Sequence, residues 1–245
     1  MPTYAAILPA AGKSSRFKDK AYKKVYAPLD GRAVWLHSAE RFLNRDDVSQ
    51  VILAISPDDR EYFDMKFAAN VAILGIEVIE GGVERTDTVA KALERVRDDI
   101  DFIAVHDAAR PCIVDPWIDN IFEAAKKSGA AIPAIAVNNT IKRVKAGAVE
   151  ETITREGLYA AQTPQVFRRE LLMKAYAARR GQIATDDAQL VEWLGEKVTV
   201  VEGSPLNLKI TTKDDLKLAE AALRALPKPK LGGTGNPFAE DDMWR

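Results

Sequence analysis

The chain has 245 residues, and its 35 Lys and Arg residues nearly balance its 36 Asp and Glu residues, leaving a net charge of −1. This balance gives no overall attraction to nucleic acid or to an anionic membrane surface. Hydrophobic residues make up 47% of the chain and charged residues 29%, which is typical of globular proteins and excludes disordered and disulfide-scaffold classes.

The compartment can be predicted from the cysteine content and the apolar runs. The single cysteine, Cys112, cannot form an internal disulfide. The first apolar stretch follows no basic residue and is interrupted by Pro9, so we expect no secretory signal. No apolar run approaches the ~20 residues that a membrane helix needs. We therefore expect a cytoplasmic protein with no nucleic-acid or membrane partner.

Apolar runs and periodic segments alternate along the first half of the chain. The runs predict strands at 4–8, 51–55, 76–79, 102–105 and 130–137. Periodic apolar positions predict helices at 33–44, 86–96 and 116–127. Asp115 followed by Pro116 indicates an N-cap with proline in the first helical position. Because strand and helix alternate at the spacing of βαβ units, the sequence predicts an α/β fold with a mostly parallel sheet and helices on both faces.

The alternation breaks between Thr140 and Thr154, where TIKRV and VEETIT predict two strands joined by the turn KAGA. Polar residues on both faces indicate a solvent-exposed hairpin or an arm that packs on a partner. Helices then follow at 168–179, 186–194 and 212–226, and a strand at 198–201. Thr212 and Asp215 predict a capping box on the last helix. We interpret residues 1–226 as a single domain with an arm at about 138–156, and 227–245 as a flexible tail.

Ligands of open α/β sheets bind at the carboxyl ends of the strands, so the loops that follow predicted strands are the candidate sites. In the first loop, residues 9–24 (PAAGKSSRFKDKAYKK), small residues let a ligand approach the backbone closely. The loop sets six cations against one acid, Asp19. The cations are Lys13, Arg16, Lys18, Lys20, Lys23 and Lys24. This composition suits either a triphosphate or a solvated lysine-rich surface loop.

Two common nucleotide motifs are absent from the first loop. A phosphate-loop NTPase motif needs a glycine where this chain has Ile7, and a dinucleotide fingerprint needs one where it has Ser14.

The second loop, VHDAARP, follows the strand at 102–105. Asp107 suits a hard cation such as magnesium and Arg110 suits a phosphate, unless the two only form an ion pair that shapes the loop. His106 has no neighbouring histidine or cysteine in the sequence, so we expect no zinc site. The third loop, GGVERTDTV at 81–89, predicts either recognition of a base or ribose, or a tight capped turn into a helix.

These loops, in this order, resemble those of the 2-C-methyl-D-erythritol 4-phosphate cytidylyltransferase family. The strings ITREGLYAAQTPQVF, TDDA and NLKIT extend the resemblance to about residues 5–226. It implies a Rossmann-like three-layer α/β/α fold whose protruding β-hairpin arm forms a homodimer. It further implies a nucleotidyltransferase of non-mevalonate isoprenoid biosynthesis, which transfers CMP from CTP to methylerythritol phosphate with magnesium and releases pyrophosphate and CDP-methylerythritol.

The resemblance assigns roles residue by residue. The catalytic residues that it implies are Arg16, Lys24, Arg155 and Lys209. Those implied to bind CTP are Pro9, Ala10, Ala11, Gly12, Gly82 and Thr88. Those implied to bind the substrate are Asp107, Arg110, Thr140 and Thr163. Asp107 and Asn207 would hold the magnesium. Arg155 and Lys209 would position the sugar phosphate, with Arg155 reaching across the dimer.

Two departures from the family pattern concern the first loop. Ser14 replaces the second glycine of G-x-G-x-R, which costs on the order of 1 kcal/mol if the position needs φ > 0. The family context P-K-Q-Y becomes K-K-V-Y, so a proline is lost before the lysine, and Lys23 competes with Lys24 for its role. Matching Tyr26 and the residues after it favours Lys24.

Two other functions stay open at this point. A pentitol-phosphate cytidylyltransferase, such as one acting on ribitol 5-phosphate, would share the nucleotide half and differ in its acceptor. A catalytically weak nucleotide-binding homologue would keep the CTP site without turnover.

Overall fold

The computed structural model describes residues 1–19 and 22–227. Its strands are β1 Tyr4–Pro9, β2 Pro28–Leu29, β3 Arg32–Ala33, β4 Val48–Ile55, β5 Glu77–Glu80, β6 Phe102–Val105, β7 Ala130–Ala136, β8 Ile141–Lys145, β9 Ala148–Ile153, β10 Tyr159–Ala161, β11 Gln165–Arg168 and β12 Thr199–Glu202. Its helices are α1 Val34–Leu43, α2 Arg60–Leu74, α3 Arg85–Leu93, α4 Asp115–Ser128, α5 Arg169–Ala178, α6 Asp187–Trp193 and α7 Lys213–Ala225. The predicted tail lies outside the described residues, apart from Pro227.

Eight strands form one mixed sheet with β1 at its centre. β1 pairs in parallel with β4 and β6, and β4 pairs in parallel with β5. β11 runs antiparallel between β6 and β7, β10 is antiparallel to β7, and β12 is parallel to β7. The prediction of an α/β fold with a mostly parallel sheet is confirmed, with β10 and β11 as the antiparallel exceptions.

Helices cover both faces of this sheet, because alternate residues of β1 contribute to different hydrophobic clusters. Ala6 and Leu8 belong to a cluster with residues of α1, α2 and α4, whereas Ala5 and Ile7 belong to one with residues of α3, α5 and α6. A third cluster packs α7 against the first loop through Phe17. The three layers thus fix the loops at the carboxyl ends of the central strands.

The sequence predicted the N-terminal caps of α7 and α4, and the structure confirms the first of these and corrects the second. Thr212 and Asp215 form the predicted capping box at the start of α7. The predicted cap at Asp115 is wrong by one residue, since Val114 is the extended N-cap residue and Asp115 is already helical. Its carboxylate lies 3.9 Å from Arg45 instead of capping a backbone N–H group.

The predicted hairpin is confirmed as β8 and β9, which form a separate two-stranded sheet. Its two-residue turn has φ of 49° at Ala146 and 81° at Gly147. Positive φ at both central residues is the geometry of the turns that match the twist of a hairpin. Most of its side chains are exposed, so the arm is free to pack on another surface. Within the described ranges, no helix has the length and apolar character needed to cross a bilayer.

Candidate active site

A cavity of about 310 Å³ opens where the loops after β1, β5 and β6 meet. This is the carboxyl edge of the parallel strands, where open α/β sheets bind ligands. All six residues predicted to bind the nucleotide line the cavity, namely Pro9, Ala10, Ala11, Gly12, Gly82 and Thr88. Lys24, Asp107 and Lys209 also line it. The structure therefore brings together nine of the residues to which the resemblance assigned a role, together with Lys13, another cation of the first loop.

The third loop is a tight turn that also forms one wall of the cavity. A Cβ atom at Gly81 would lie 2.6 Å from the Cβ atom of Ala11, so the close approach of the two loops requires glycine there. The Thr88 hydroxyl accepts a hydrogen bond from the Gly82 N–H group at 3.0 Å and donates one to the Glu84 carbonyl at 3.1 Å. The tight capped turn is therefore confirmed, and it places Gly82 and Thr88 against the cavity, where recognition of a base or ribose stays a prediction.

Asp107 lies at the end of β6 among three cations. Its Oδ1 is 3.2 Å from Arg85 Nε, and its Oδ2 is 2.8 Å from Lys209 Nζ and 3.5 Å from Arg110 Nε. Burial alone would raise the pKa of Asp107, but Arg85, Lys209 and Arg110 outweigh it and hold the pKa well below its usual range. Asp107 is therefore ionised at neutral pH and fixes the cations that surround it.

Arg85 lines the cavity, although the sequence assigned it no role. It belongs to the third loop, GGVERTDTV, and is the first residue of α3. Its Nη2 lies 2.8 Å from the carboxylate of Asp187, which is fully buried and accepts a hydrogen bond from the Tyr176 hydroxyl. Gln165 accepts hydrogen bonds from the backbone N–H groups of Asp187 and Ala188. Gln165 of the string ITREGLYAAQTPQVF therefore positions Asp187 of the string TDDA, and Asp187 in turn holds Arg85 beside Asp107.

The structure separates the two adjacent lysines of the first loop. Lys24 lines the cavity, where burial and the neighbouring cations Lys209, Arg16 and Arg110 lower its pKa to about 8 against the opposing effect of Asp107. Lys23 lines a neighbouring pocket and pairs with Asp59 at 2.6 Å.

Arg16 is exposed on the first loop and is close enough to Lys24 to lower the pKa of that lysine. Lys20, another of the six predicted cations, lies outside the described residues.

Three further predicted residues support the second loop without lining the cavity. Thr163 accepts a hydrogen bond from the Asp107 N–H group at 3.0 Å, and Asn207 donates its amide to the Thr163 carbonyl at 2.8 Å. Arg110 donates to the Asn207 carbonyl at 2.8 Å. His106 contacts Thr163 through Nδ1 at 3.1 Å, and burial lowers its pKa to about 4, which keeps the ring neutral. These contacts orient Asp107.

The remaining predicted residues lie at the base of the arm. Thr140 and Arg155 are both exposed, and Arg155 donates a hydrogen bond to the Asn138 carbonyl. Neither lines the cavity of its own chain.

The site contains oxygen atoms that fit a divalent cation held mainly by nucleotide phosphates. Asp107 supplies a carboxylate on the cavity wall. The Asn207 Oδ1 atom is buried, with no hydrogen-bond partner among the described residues. Those residues contain no cluster of three His, Cys, Asp or Glu side chains able to hold a metal. One carboxylate with few other protein ligands is the usual pattern for magnesium that reaches a site with its phosphate substrate.

Comparisons with known proteins agree with this geometry. The family model for "IspD: 2-C-methyl-D-erythritol 4-phosphate cytidylyltransferase" matches residues 4–225. A relative with that enzyme name from Rhodopirellula baltica is 41% identical over 230 residues, covering 89% of this chain and 94% of the relative. Another from Bacillus pumilus is 40% identical and covers 91% and 97% of the two chains. The crystal structure of the Thermus thermophilus enzyme of the same name matches with a TM-score of 0.74 at 35% identity, covering 89% and 98%.

Proposed function

Since the chain belongs to the 2-C-methyl-D-erythritol 4-phosphate cytidylyltransferase family, we propose that the cavity carries out that reaction with the residues assigned below. The chain is a nucleotidyltransferase that transfers CMP from CTP to 2-C-methyl-D-erythritol 4-phosphate in isoprenoid biosynthesis. A phosphate oxygen of the acceptor attacks the α-phosphorus of CTP in line. The bond between the α-phosphorus and the oxygen that bridges the α- and β-phosphates breaks, and pyrophosphate leaves with the electron pair of that bond.

The chemical difficulty is that one anion attacks another, so the site must supply positive charge where negative charge accumulates. We assign this role to Lys24 and Arg16 on the α-phosphate. The supporting observation is that Lys24 lines the cavity and forms no ion pair with any described carboxylate, whereas Lys23 is committed to Asp59. An unpaired cation beside the cavity is free to bind a phosphate oxygen without first breaking another contact.

Lys209 and Arg155 are proposed to hold the phosphate of the acceptor. Lys209 reaches the cavity because the backbone N–H group of Ile210 is hydrogen-bonded to the Ala109 carbonyl of the second loop at 2.8 Å. Arg155 and Thr140 lie at the base of the arm and would complete the acceptor pocket of a partner subunit. We therefore propose a homodimer formed through β8 and β9. Arg110 and Thr163 act through the second loop.

Asp107 and Asn207 are proposed to hold magnesium when CTP is bound. The metal would neutralise part of the phosphate charge in the transition state. Asp107 also orients Lys209 through their 2.8 Å ion pair, so its carboxylate organises the site with or without the metal. We propose that the reaction takes place in the cytoplasm.

The acceptor is tested by measuring pyrophosphate release from CTP with methylerythritol phosphate and ribitol 5-phosphate in parallel. We expect kcat/KM to be higher with methylerythritol phosphate by at least two orders of magnitude, as a site that pairs specific hydroxyls discriminates strongly against a different polyol. Preference for ribitol 5-phosphate would contradict the acceptor, and tight CTP binding without turnover on either acceptor would contradict the catalytic role of the cavity.

A further inference from the structure

Lys24 is held from the side of the first loop by Ser14. The Ser14 Oγ atom accepts a hydrogen bond from the backbone N–H group of Lys24 at 3.2 Å. Ser14 has φ of 52°, a left-handed conformation that serine adopts at some cost. A glycine would adopt this conformation more readily but has no hydroxyl to offer to Lys24. The side chain at position 14 therefore has a contact that offsets its backbone strain.

The residue before Lys24 is held by a second contact, with Asp59. Lys23 Nζ lies 2.6 Å from Asp59 Oδ1, and the Tyr26 hydroxyl donates to Asp59 Oδ2 at 3.2 Å. Asp59 is only 8% exposed and ends the turn that leads into α2, where its N–H group bonds the Ser56 carbonyl at 2.9 Å. A buried carboxylate on a fixed turn thus binds the chain on both sides of Lys24.

These contacts determine where the Lys24 ammonium lies. A lysine side chain has four rotatable carbon–carbon bonds, so its ammonium is placed accurately only if its backbone is fixed and its stem is packed. The segment lacks a proline at position 23 that would restrict the backbone before Lys24. The Ser14 hydrogen bond and the Lys23–Asp59 ion pair supply two restraints at the same place, and the ion pair also keeps the Lys23 ammonium in the neighbouring pocket.

We propose that Ser14, Lys23 and Asp59 are positioning residues for Lys24, a set that we call the Lys24 brace. The inference rests on the proposed role of Lys24 at the α-phosphate. None of the three lines the cavity, so they act on the reaction only through the position of Lys24. Misplacement of a catalytic group by a fraction of an ångström slows the chemical step more than it weakens substrate binding.

The test separates kcat from KM in three variants. Asp59→Asn keeps the size of the side chain and an oxygen that accepts from Tyr26, but it removes the negative charge. Lys23→Met keeps an unbranched side chain of similar length, but it removes the positive charge that pairs with Asp59. We expect each to lower kcat roughly tenfold while KM for CTP changes less than about twofold. Asp58→Asn is the matched control, because Asp58 is an exposed acid on the same turn, and it should leave both constants unchanged.

The same substitutions are then made in a Lys24→Ala background. If the brace acts through Lys24, Asp59→Asn and Lys23→Met should have no further effect on the residual kcat. Wild-type kcat in both single variants, or a fall of equal size in the Lys24→Ala background, would overturn the brace. If Lys24→Ala itself leaves kcat unchanged, the proposed catalytic role of Lys24 fails instead. If Asp59→Asn does not fold, Lys23→Met still tests the brace, because Lys23 is partly exposed and its replacement disturbs the core less.

Discussion

Lys24 carries its positive charge in surroundings that disfavour it. It is partly buried, and Lys209, Arg16 and Arg110 are near enough to repel its ammonium, with Asp107 as the opposing anion. These effects lower its pKa from 10.5 to about 8. A desolvated cation with like charges around it binds an incoming phosphate strongly, because the phosphate relieves both effects at once.

This pKa predicts how activity depends on pH. In the proposed role of Lys24 the reaction needs the cationic form, which is present below the pKa and lost as pH rises through it. We expect kcat/KM for CTP to be flat between pH 7 and about pH 8 and to fall about tenfold for each further pH unit, since this ratio reports the ionisation of the free enzyme. Lys24→Arg stays charged in this range, so its residual activity should not fall there. The same alkaline fall in Lys24→Arg would assign the titration to another group.

Arg85 lines the cavity, where it pairs with Asp107 and compensates the charge of the buried Asp187. If Arg85 is replaced by methionine, Asp187 is left buried with its charge uncompensated. We expect Arg85→Met to lower the free energy of unfolding by about 3–5 kcal/mol in a urea titration. Arg95→Met is the control, because the exposed pair of Arg95 with Glu77 contributes less than about 1 kcal/mol. Adding Asp187→Asn to Arg85→Met should restore part of the loss, and a further loss would contradict this electrostatic explanation.

Among single residues, the sequence predicted the positions of those that lie close to the end of a strand, and it did not predict contacts between residues that are distant along the chain. Ala10 to Gly12, Gly82 and Asp107 lie within three residues of the ends of β1, β5 and β6, so their common edge of the sheet could be predicted. Arg85 could not be assigned from the sequence, since its partners Asp107 and Asp187 lie far away along the chain and meet it only after folding. The sequence favoured Lys24 over Lys23 only by matching Tyr26, whereas the ion pair of Lys23 with Asp59, which supports that choice, could not be predicted from any local pattern.

Among the secondary-structure elements, those with one apolar face were predictable and those without it were not. α1 and α4 each bury a single face in the first hydrophobic cluster, and both were predicted. α2 was missed because its apolar residues surround the helix: Phe63 is fully buried, while Met65 and Ile73 are 72% and 84% exposed. β10 has only three residues, and β11, whose sequence is QVFR, begins and ends with polar residues, so neither forms an apolar run like the one that predicted β6.

The arm is the element with the clearest test. Val144 and Val149 face each other across β8 and β9 and are 58% and 62% exposed. Their apolar side chains would be stabilised if they were buried against another surface. We expect these side chains to be covered in a homodimer. Val144→Asp combined with Val149→Asp should convert a dimer into a monomer in sedimentation velocity, since a buried unpaired charge opposes association.

Two further measurements complete this test. Ile73→Asp, on the exposed face of α2, should leave the dimer intact. Because Arg155 is proposed to act across the interface, the arm variant should also raise KM for methylerythritol phosphate. A wild-type chain that sediments as a monomer, or an arm variant that stays dimeric, would contradict the role of the arm.

For the whole molecule, the net charge of −1 conceals a strongly uneven distribution. The parallel strands β1, β5 and β6 end at one edge of the sheet, so loops distant in sequence meet there and bring Lys24, Arg85, Arg110 and Lys209 around Asp107. The fold thereby creates a local cationic field in a chain that is neutral on average. A field of this kind attracts a small polyanion such as a triphosphate.

A crystal structure of the chain with CTP and magnesium tests most directly whether this cavity is the active site. We expect the triphosphate along Ala10 to Gly12, the α-phosphate within hydrogen-bonding distance of Lys24 Nζ, and the nucleoside against Gly82 and Thr88. CTP bound instead in the neighbouring pocket that contains Lys23 and Asp59, or in this cavity with its α-phosphate out of reach of Lys24, would contradict that assignment.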